Sequence, residues 1–257
     1  MIGTDLDFDR LVHQAWPAPG QEVRDGWVLR HAGGVTKRAN SVLPLAEPAD
    51  LAGAVRAAEE FYAARGLPCV FSIGPSAPPA LDALLARRGY RPVDPTGCLV
   101  APPAVLAAAA PAPDPDPAVT ITDRPDDAWL AAWWSVDGRY DAPGLPMAAR
   151  IVSGVPAWYA AVWRDGRPVA VGRGVPQGDA LGVYCMATLP AYRRQGLGRA
   201  VLRALLARGR QHGAARAYLL VTEANAAAGA LYATEGFVRS GGYHYRVGGP
   251  ADRQDGR

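Results

Sequence analysis

The 257 residues carry 27 Lys and Arg against 24 Asp and Glu, a formal charge of +3, and 49% of them are hydrophobic. That balance fits a globular chain with ample core-forming material, and its scattered cations make no run of the kind that grips nucleic acid or an anionic membrane. No apolar stretch reaches the length of a membrane span, and the opening MIGTDLDFDRLV lacks a basic start followed by an apolar run, so a cytoplasmic protein is expected.

Gly26–Arg30 and Asn40–Pro44 flank a Gly33–Gly34 turn signal and read as strands, followed by a helix from Asp50 to Arg65 and a strand at Cys69–Ile73. Leu81, Leu84 and Leu85 give helical spacing over Ala80–Arg88, and Gly89–Tyr90 leads into a strand ending near Val100. The stretch 102–118 holds six prolines, which deny a helix its interior hydrogen bonds, so it is expected to be an extended linker.

Beyond it, Val119–Thr122 reads as a strand, Ala128–Val136 as a helix and Ala157–Val175 as a hairpin around Asp165–Gly166. A strand at Leu181–Ala187, a Gly-rich turn, a helix at Leu197–His212, a strand at Ala217–Val221, a helix at Asn225–Glu235 and a strand at Tyr243–Val247 complete the order.

The segment RRQGLGRAVLRALLARG places two glycines between a strand and a long amphipathic helix. Backbone amides converge there at a positive helix end, a ready cradle for a pyrophosphate, and Gly196 and Gly198 let the backbone approach it. Arg193, Arg194 and Arg199 supply charge around the cradle or are solvated surface. A dinucleotide-binding turn would need a third glycine.

Arg193-x-x-Gly196-x-Gly198, then Asn225-x-x-Ala228-x-x-Leu231-Tyr232 and Gly236-Phe237, resembles the GNAT superfamily of N-acetyltransferases over residues 119 to 247. The resemblance implies an α/β (α+β) fold with a mixed central sheet flanked by helices. It also implies acetyl-CoA as cosubstrate and an amine acceptor, a small molecule or a protein amine. By carry-over, Arg193, Arg194, Gln195, Gly196, Leu197, Gly198 and Arg199 surround the pyrophosphate, and Met186, Ala187 and Thr188 line the thioester arm. Asn225 touches the cofactor and Tyr232 protonates or hydrogen-bonds the departing thiolate. Read without the resemblance, Tyr232 is a core aromatic and Asn225 an N-cap.

Many members of the superfamily carry a glutamate in the middle of the strand matching Leu181–Ala187, and this chain has none there. Glu223 is the nearest acidic candidate for a general base or else a solvated loop residue, with Asp137, Asp141 and Glu235 behind it. Trp134, Tyr140 and Asp141 are the expected acceptor wall, which would favour a cationic amine. Trp129 and Trp133 have the spacing of core residues. A non-catalytic coenzyme A sensor is the alternative reading.

Cys69, Cys98 and Cys185 have neither metal-ligand nor disulfide spacing, and the four histidines do not cluster, so no metal is expected. The first half ends in Arg88-Gly-Tyr90 before a strand, faintly resembling the closing half of the same fold without its Arg-x-x-Gly-x-Gly loop. A degenerate GNAT-like domain at 1–101, a linker at 102–118, a catalytic domain at 119–247 and a flexible tail at 248–257 are therefore expected.

Overall fold

A computed structural model describes residues 6–108, 118–137 and 144–248. The chain forms two compact units: the first holds residues 1–97, 222–224 and 241–257, the second 98–221 and 225–240. The division therefore does not fall in the proline-rich stretch. It passes inside three strands, at Gly97–Cys98, at Val221–Thr222 and at Ser240–Gly241.

In the first unit, α1 (Phe8–Ala15) starts where the Asp7 side chain accepts the Arg10 amide at 3.0 Å. β1 (Gly20–Arg24) and β2 (Trp27–His31) form a hairpin whose Asp25 and Gly26 both have positive φ, 47° and 77°. Neither α1 nor β1 was expected, although Asp25–Gly26 is the same kind of signal as Asp165–Gly166. β3 (Val42–Pro44), α2 (Leu51–Ala63), β4 (Val70–Ile73) and α3 (Leu81–Arg87) follow, and β5 (Arg91–Ala101) begins here. Asp50 caps α2 through the Gly53 amide at 2.9 Å.

The sheet order in this unit is β1-β2-β3-β4, with the second half of the last strand beside β4. Trp27, Leu29, Val42 and Phe71 pack with Val55, Phe61 and Tyr62 of α2 and Leu81 and Leu85 of α3 into one core. Alternate strand residues thus face these helices, as a pleated strand requires.

The second unit opens with the end of β5 and α4 (Pro103–Ala108). The linker expectation fails over these six residues. Pro103 stands at the first helical position, where its missing N–H costs nothing, and Ala-Val-Leu-Ala-Ala continues the helix. Leu106 is buried in the core of the unit. Residues 109–117, and 249–257 of the expected tail, lie outside the described residues.

β6 (Val119–Thr122), α5 (Asp127–Asp137), α6 (Leu145–Val152), β7 (Trp158–Arg164), β8 (Arg167–Gln177), β9 (Ala180–Thr188), α7 (Leu197–Gln211), β10 (Arg216–Thr222), α8 (Ala226–Thr234) and β11 (Val238–Val247) complete the order. The sheet runs β5-β10-β9-β8-β7-β6 and is mixed, with β9 and β10 parallel and β6 to β9 antiparallel. Trp158, Ala160 and Val162 of β7 join Val201, Leu202, Leu205 and Leu206 of α7 in the core. On the opposite face, the Tyr159 ring meets Trp129 of α5 at 5.1 Å and its hydroxyl donates to the Val152 carbonyl of α6 at 2.6 Å. Helices therefore flank both faces of this mixed sheet, as expected.

Candidate functional site

The register between β9 and β10 covers only Ala180–Val183 against Arg216–Leu219, although the strands run on to Thr188 and Thr222. The last paired positions are braced by a hydroxyl chain: Tyr184 lies 2.7 Å from Tyr218, which donates to Gln177 Oε1 at 2.5 Å. Gly182 makes room for that brace, since a Cβ there would sit 2.7 Å from both tyrosine side chains.

Just beyond, β9 bulges. Cys185 and Met186 together oppose the single Gly172 of β8, and Cys185 takes a φ of 53°. A Cβ on Gly172 would lie 2.6 Å from Met186 Sδ, so the glycine is what allows the bulged methionine to settle over β8.

The turn from β9 into α7 has left-handed residues at Arg194 (φ 66°) and Gly196 (φ 78°). Gly196 is the N-cap of α7 and supplies no side-chain hydrogen bond, so the first amides of a 15-residue helix are left for another acceptor. Nothing lies within 4 Å of the position a Gly196 Cβ would take, whereas one on Gly198 would touch Thr188 Oγ1 at 3.4 Å. Arg193 is held over the turn by its Nε, which donates to the Thr188 carbonyl at 3.2 Å.

These elements enclose a cavity of about 600 Å³ lined by β9, the turn, α7, α8 and Val136 of α5. The size is that of a small-molecule site. Arg193, Arg194 and Arg199 line it, and none of the described lining residues is Asp, Glu or His. Arg199 is engaged by Glu235 at 2.8 Å, and Arg203 binds the other oxygen of that carboxylate at 2.6 Å. Glu235 thus ties α7 to the end of α8 and is a structural group. Glu235→Ala is expected to cost about 1 kcal/mol, because both arginines are solvent-exposed enough to rehydrate. The melting temperature should then fall by about 3 °C; an unchanged thermal transition would show that the tie contributes nothing.

The family of the probable histone acetyltransferase Rv0428c, in its C-terminal part, matches residues 8–246. The chain belongs to this family. The N-acetyltransferase YobR of Bacillus subtilis, itself uncharacterized, is 28% identical over 244 residues, which cover 93% of this chain and 97% of YobR. Among solved structures, a GCN5-related N-acetyltransferase from Kribbella flavida is similar with a TM-score of 0.68 at 21% identity, over 95% of this chain and 97% of its own. A tandem GNAT protein from the clavulanic acid biosynthesis pathway is similar with a TM-score of 0.64 at 14% identity, over 95% and 88% of the two chains. These two likenesses establish the GNAT fold.

Of the residues that the GNAT resemblance places around the cofactor, Met186, Ala187, Thr188, Arg193, Arg194, Gly196, Leu197, Gly198, Arg199, Asn225 and Tyr232 all line the cavity. Gln195 does not; its amide reaches back towards the Ala191 carbonyl at 3.5 Å. Asn225 is the N-cap of α8, accepting the Ala228 amide at 3.1 Å, so capping and a place on the cavity wall coexist.

Tyr232 is buried beside Phe237, and its burial pushes the phenol up to about 12. Its hydroxyl makes no hydrogen bond to the described residues, while the side chain borders the cavity.

Glu223 is exposed, belongs to the first unit and is not among the lining residues; its amide donates to the Pro95 carbonyl at 2.8 Å. Trp134 is half-buried against Trp133 at 5.6 Å and does not line the cavity. Trp129 and Trp133 are core residues. Tyr140 and Asp141 lie outside the described residues. Asp137 accepts the Trp133 indole N–H at 3.3 Å. Val136, Gly172 and the Tyr184–Tyr218 brace carried no signal in the sequence, because each depends on pairing between distant segments.

Proposed function

We propose that the second unit is an acetyl-CoA-dependent N-acetyltransferase that transfers the acetyl group to a primary amine by direct attack within a ternary complex. The observation that carries this reading is the uncapped N-terminus of α7 opening into a cavity that also takes in the parting strand β9. The amides of Leu197 and Gly198, with Arg193 and Arg194, would hold the pyrophosphate, Gln195 flanking them and Arg199 adding charge already shared with Glu235. Met186, Ala187 and Thr188 would lie along the thioester arm, their backbone polarising its carbonyl. Tyr232 would donate a hydrogen bond to the departing sulfur, and Asn225 would contact the cofactor from the start of α8.

The described lining residues supply no carboxylate or imidazole to accept the amine proton. On this reading the acceptor arrives neutral or passes its proton to water. Neutralising a lysine-type amine near 10.4 costs about 4 kcal/mol at pH 7.4, whereas an α-amine near 8 costs about 1 kcal/mol. A low-pKa amine is therefore the acceptor this cavity serves best, although the family's name speaks of histones. Trp134, Tyr140 and Asp141 remain the proposed acceptor wall. The first unit is proposed as a second, degenerate GNAT-like domain, since its strand and helix order is similar but residues 1–97 have no Arg-x-x-Gly-x-Gly loop.

Thiol release from acetyl-CoA by the purified protein, measured against α-amines, lysine peptides, polyamines and aminoglycosides, tests both parts. Release dependent on one amine class establishes transfer, and a preference for α-amines over lysine side chains supports the low-pKa argument. Silence against every class, with coenzyme A still bound, would sink the catalytic reading.

A further inference from the structure

The cavity of the second unit changes character along its length. Its cations, Arg193, Arg194 and Arg199, belong to the turn and the start of α7. Further back along β9 the lining is Met186 and Ala187, with the Tyr232 ring and, from α5 on the other face of the sheet, Val136. The cavity therefore passes between β9 and β10 beyond their last paired residues, Val183 and Leu219, and its inner end is apolar.

Among the described residues at that end, Met186 has the one long unbranched side chain. It is half-buried, and its thioether lies in a notch between β8 and α7. The position a Gly172 Cβ would take is 2.6 Å from Met186 Sδ, 2.7 Å from Val201 Cγ1 and 3.2 Å from Leu205 Cδ1, so the sulfur rests on the bare backbone of Gly172. Val201 and Leu205 are fully buried and held by the rest of the core. The thioether is the adaptable member of this group, since an unbranched chain takes the shape of the space left to it, and the space bordering Met186 is the cavity.

We infer that Met186, seated on Gly172, sets the length of the acyl group this site accepts, so that a short, straight, uncharged acyl group fits and a longer one meets the thioether. The inference rests on the acyl-CoA reading of the cavity and adds the residue that limits the acyl group. With the pyrophosphate at the turn and the thioester arm along β9, the acyl carbons extend towards the apolar end, where Met186 stands. An acyl chain ending in a carboxylate is disfavoured there as well. The cations among the described lining residues are all at the turn, and a buried carboxylate would go unpaired.

Calorimetry of the full chain with coenzyme A and its acetyl, butanoyl, hexanoyl and succinyl thioesters, with no amine present, tests it. The wild type should bind hexanoyl-CoA at least about tenfold more weakly than acetyl-CoA, because extra methylenes are forced into a packed site. Met186→Ala removes Cγ, Sδ and Cε and should reverse that order, with a gain of about fourfold for each methylene that enters, while coenzyme A itself binds as before. In that variant succinyl-CoA should stay at least about tenfold weaker than butanoyl-CoA, whose chain is equally long. Gly172 does not line the cavity, yet Gly172→Ala drives the sulfur outwards and should weaken acetyl-CoA by about tenfold and coenzyme A by less than about threefold. If that variant folds poorly, Gly172→Ala combined with Met186→Ala puts a methyl where the sulfur lay and should bind the series as Met186→Ala does. The same chain-length series in wild type and Met186→Ala, or a Gly172→Ala that weakens coenzyme A as much as its acetyl thioester, would overturn the inference. Equal binding of the succinyl and butanoyl thioesters would overturn its charge selectivity. A wild type that binds neither coenzyme A nor any thioester would instead remove the acyl-CoA reading, and this inference with it.

Discussion

Gly196→Glu should abolish measurable transfer while leaving a folded protein. The residue sits at φ 78°, where a side chain costs about 1 kcal/mol, and its Cβ would meet no atom within 4 Å. The fold therefore loses only a few degrees of melting temperature. The ligand loses far more. A carboxylate at the N-cap of α7 occupies the amides that a pyrophosphate would take and sets a negative charge against it. Two charge-assisted hydrogen bonds at about 1.5–3 kcal/mol each correspond to a loss of affinity of at least a hundredfold. Calorimetry with coenzyme A reads that loss directly, and unchanged binding would remove the α7 turn from the site. Gly196→Ala separates the two causes, since it carries the backbone strain without the charge and should keep most of the affinity.

The turn was legible because everything that makes it a cradle is local. Two glycines and three arginines lie within seven residues, between a strand and a helix whose periodicity is plain. The Asp165–Gly166 hairpin and the Asn225 cap were legible for the same reason: φ at positions 165 and 166 is positive, and the cap spans three residues. What stayed hidden is set by pairing across the chain. The opening between β9 and β10 depends on where Val183 stops facing Leu219, and no residue type announces that. A left-handed cysteine at 185 is uncommon enough that no composition rule would place the bulge there. The proline count misled at 103–108, because a proline at the first turn starts a helix as readily as one inside it ends it. The unit boundary was hidden as well, since β11 leaves α8 in the second unit and pairs with β4 through His244–Val247 in the first.

Tyr232→Phe should lower kcat by about tenfold to a hundredfold with cofactor affinity nearly unchanged. A phenol held at about 12 could protonate a thiolate near 8.5 only by climbing about 5 kcal/mol, so it serves better as a hydrogen-bond donor that keeps its proton. A hydrogen bond to a charged sulfur is worth about 1.5–3 kcal/mol, which sets the size of the expected loss. True acid catalysis would be expected to cost up to about ten-thousandfold. Stability should hardly move, because the hydroxyl bonds no described residue and the ring of the phenylalanine still packs on Phe237. The raised pKa also fixes the sign of the pH dependence. The phenol stays protonated until well above pH 10, so kcat/KM should climb as the acceptor amine loses its proton and show no falling limb from Tyr232 below about pH 11. A falling limb near pH 10 that vanishes in Tyr232→Phe would mean that the phenol titrates as an ordinary exposed tyrosine during turnover, and the buried-donor role would have to be given up.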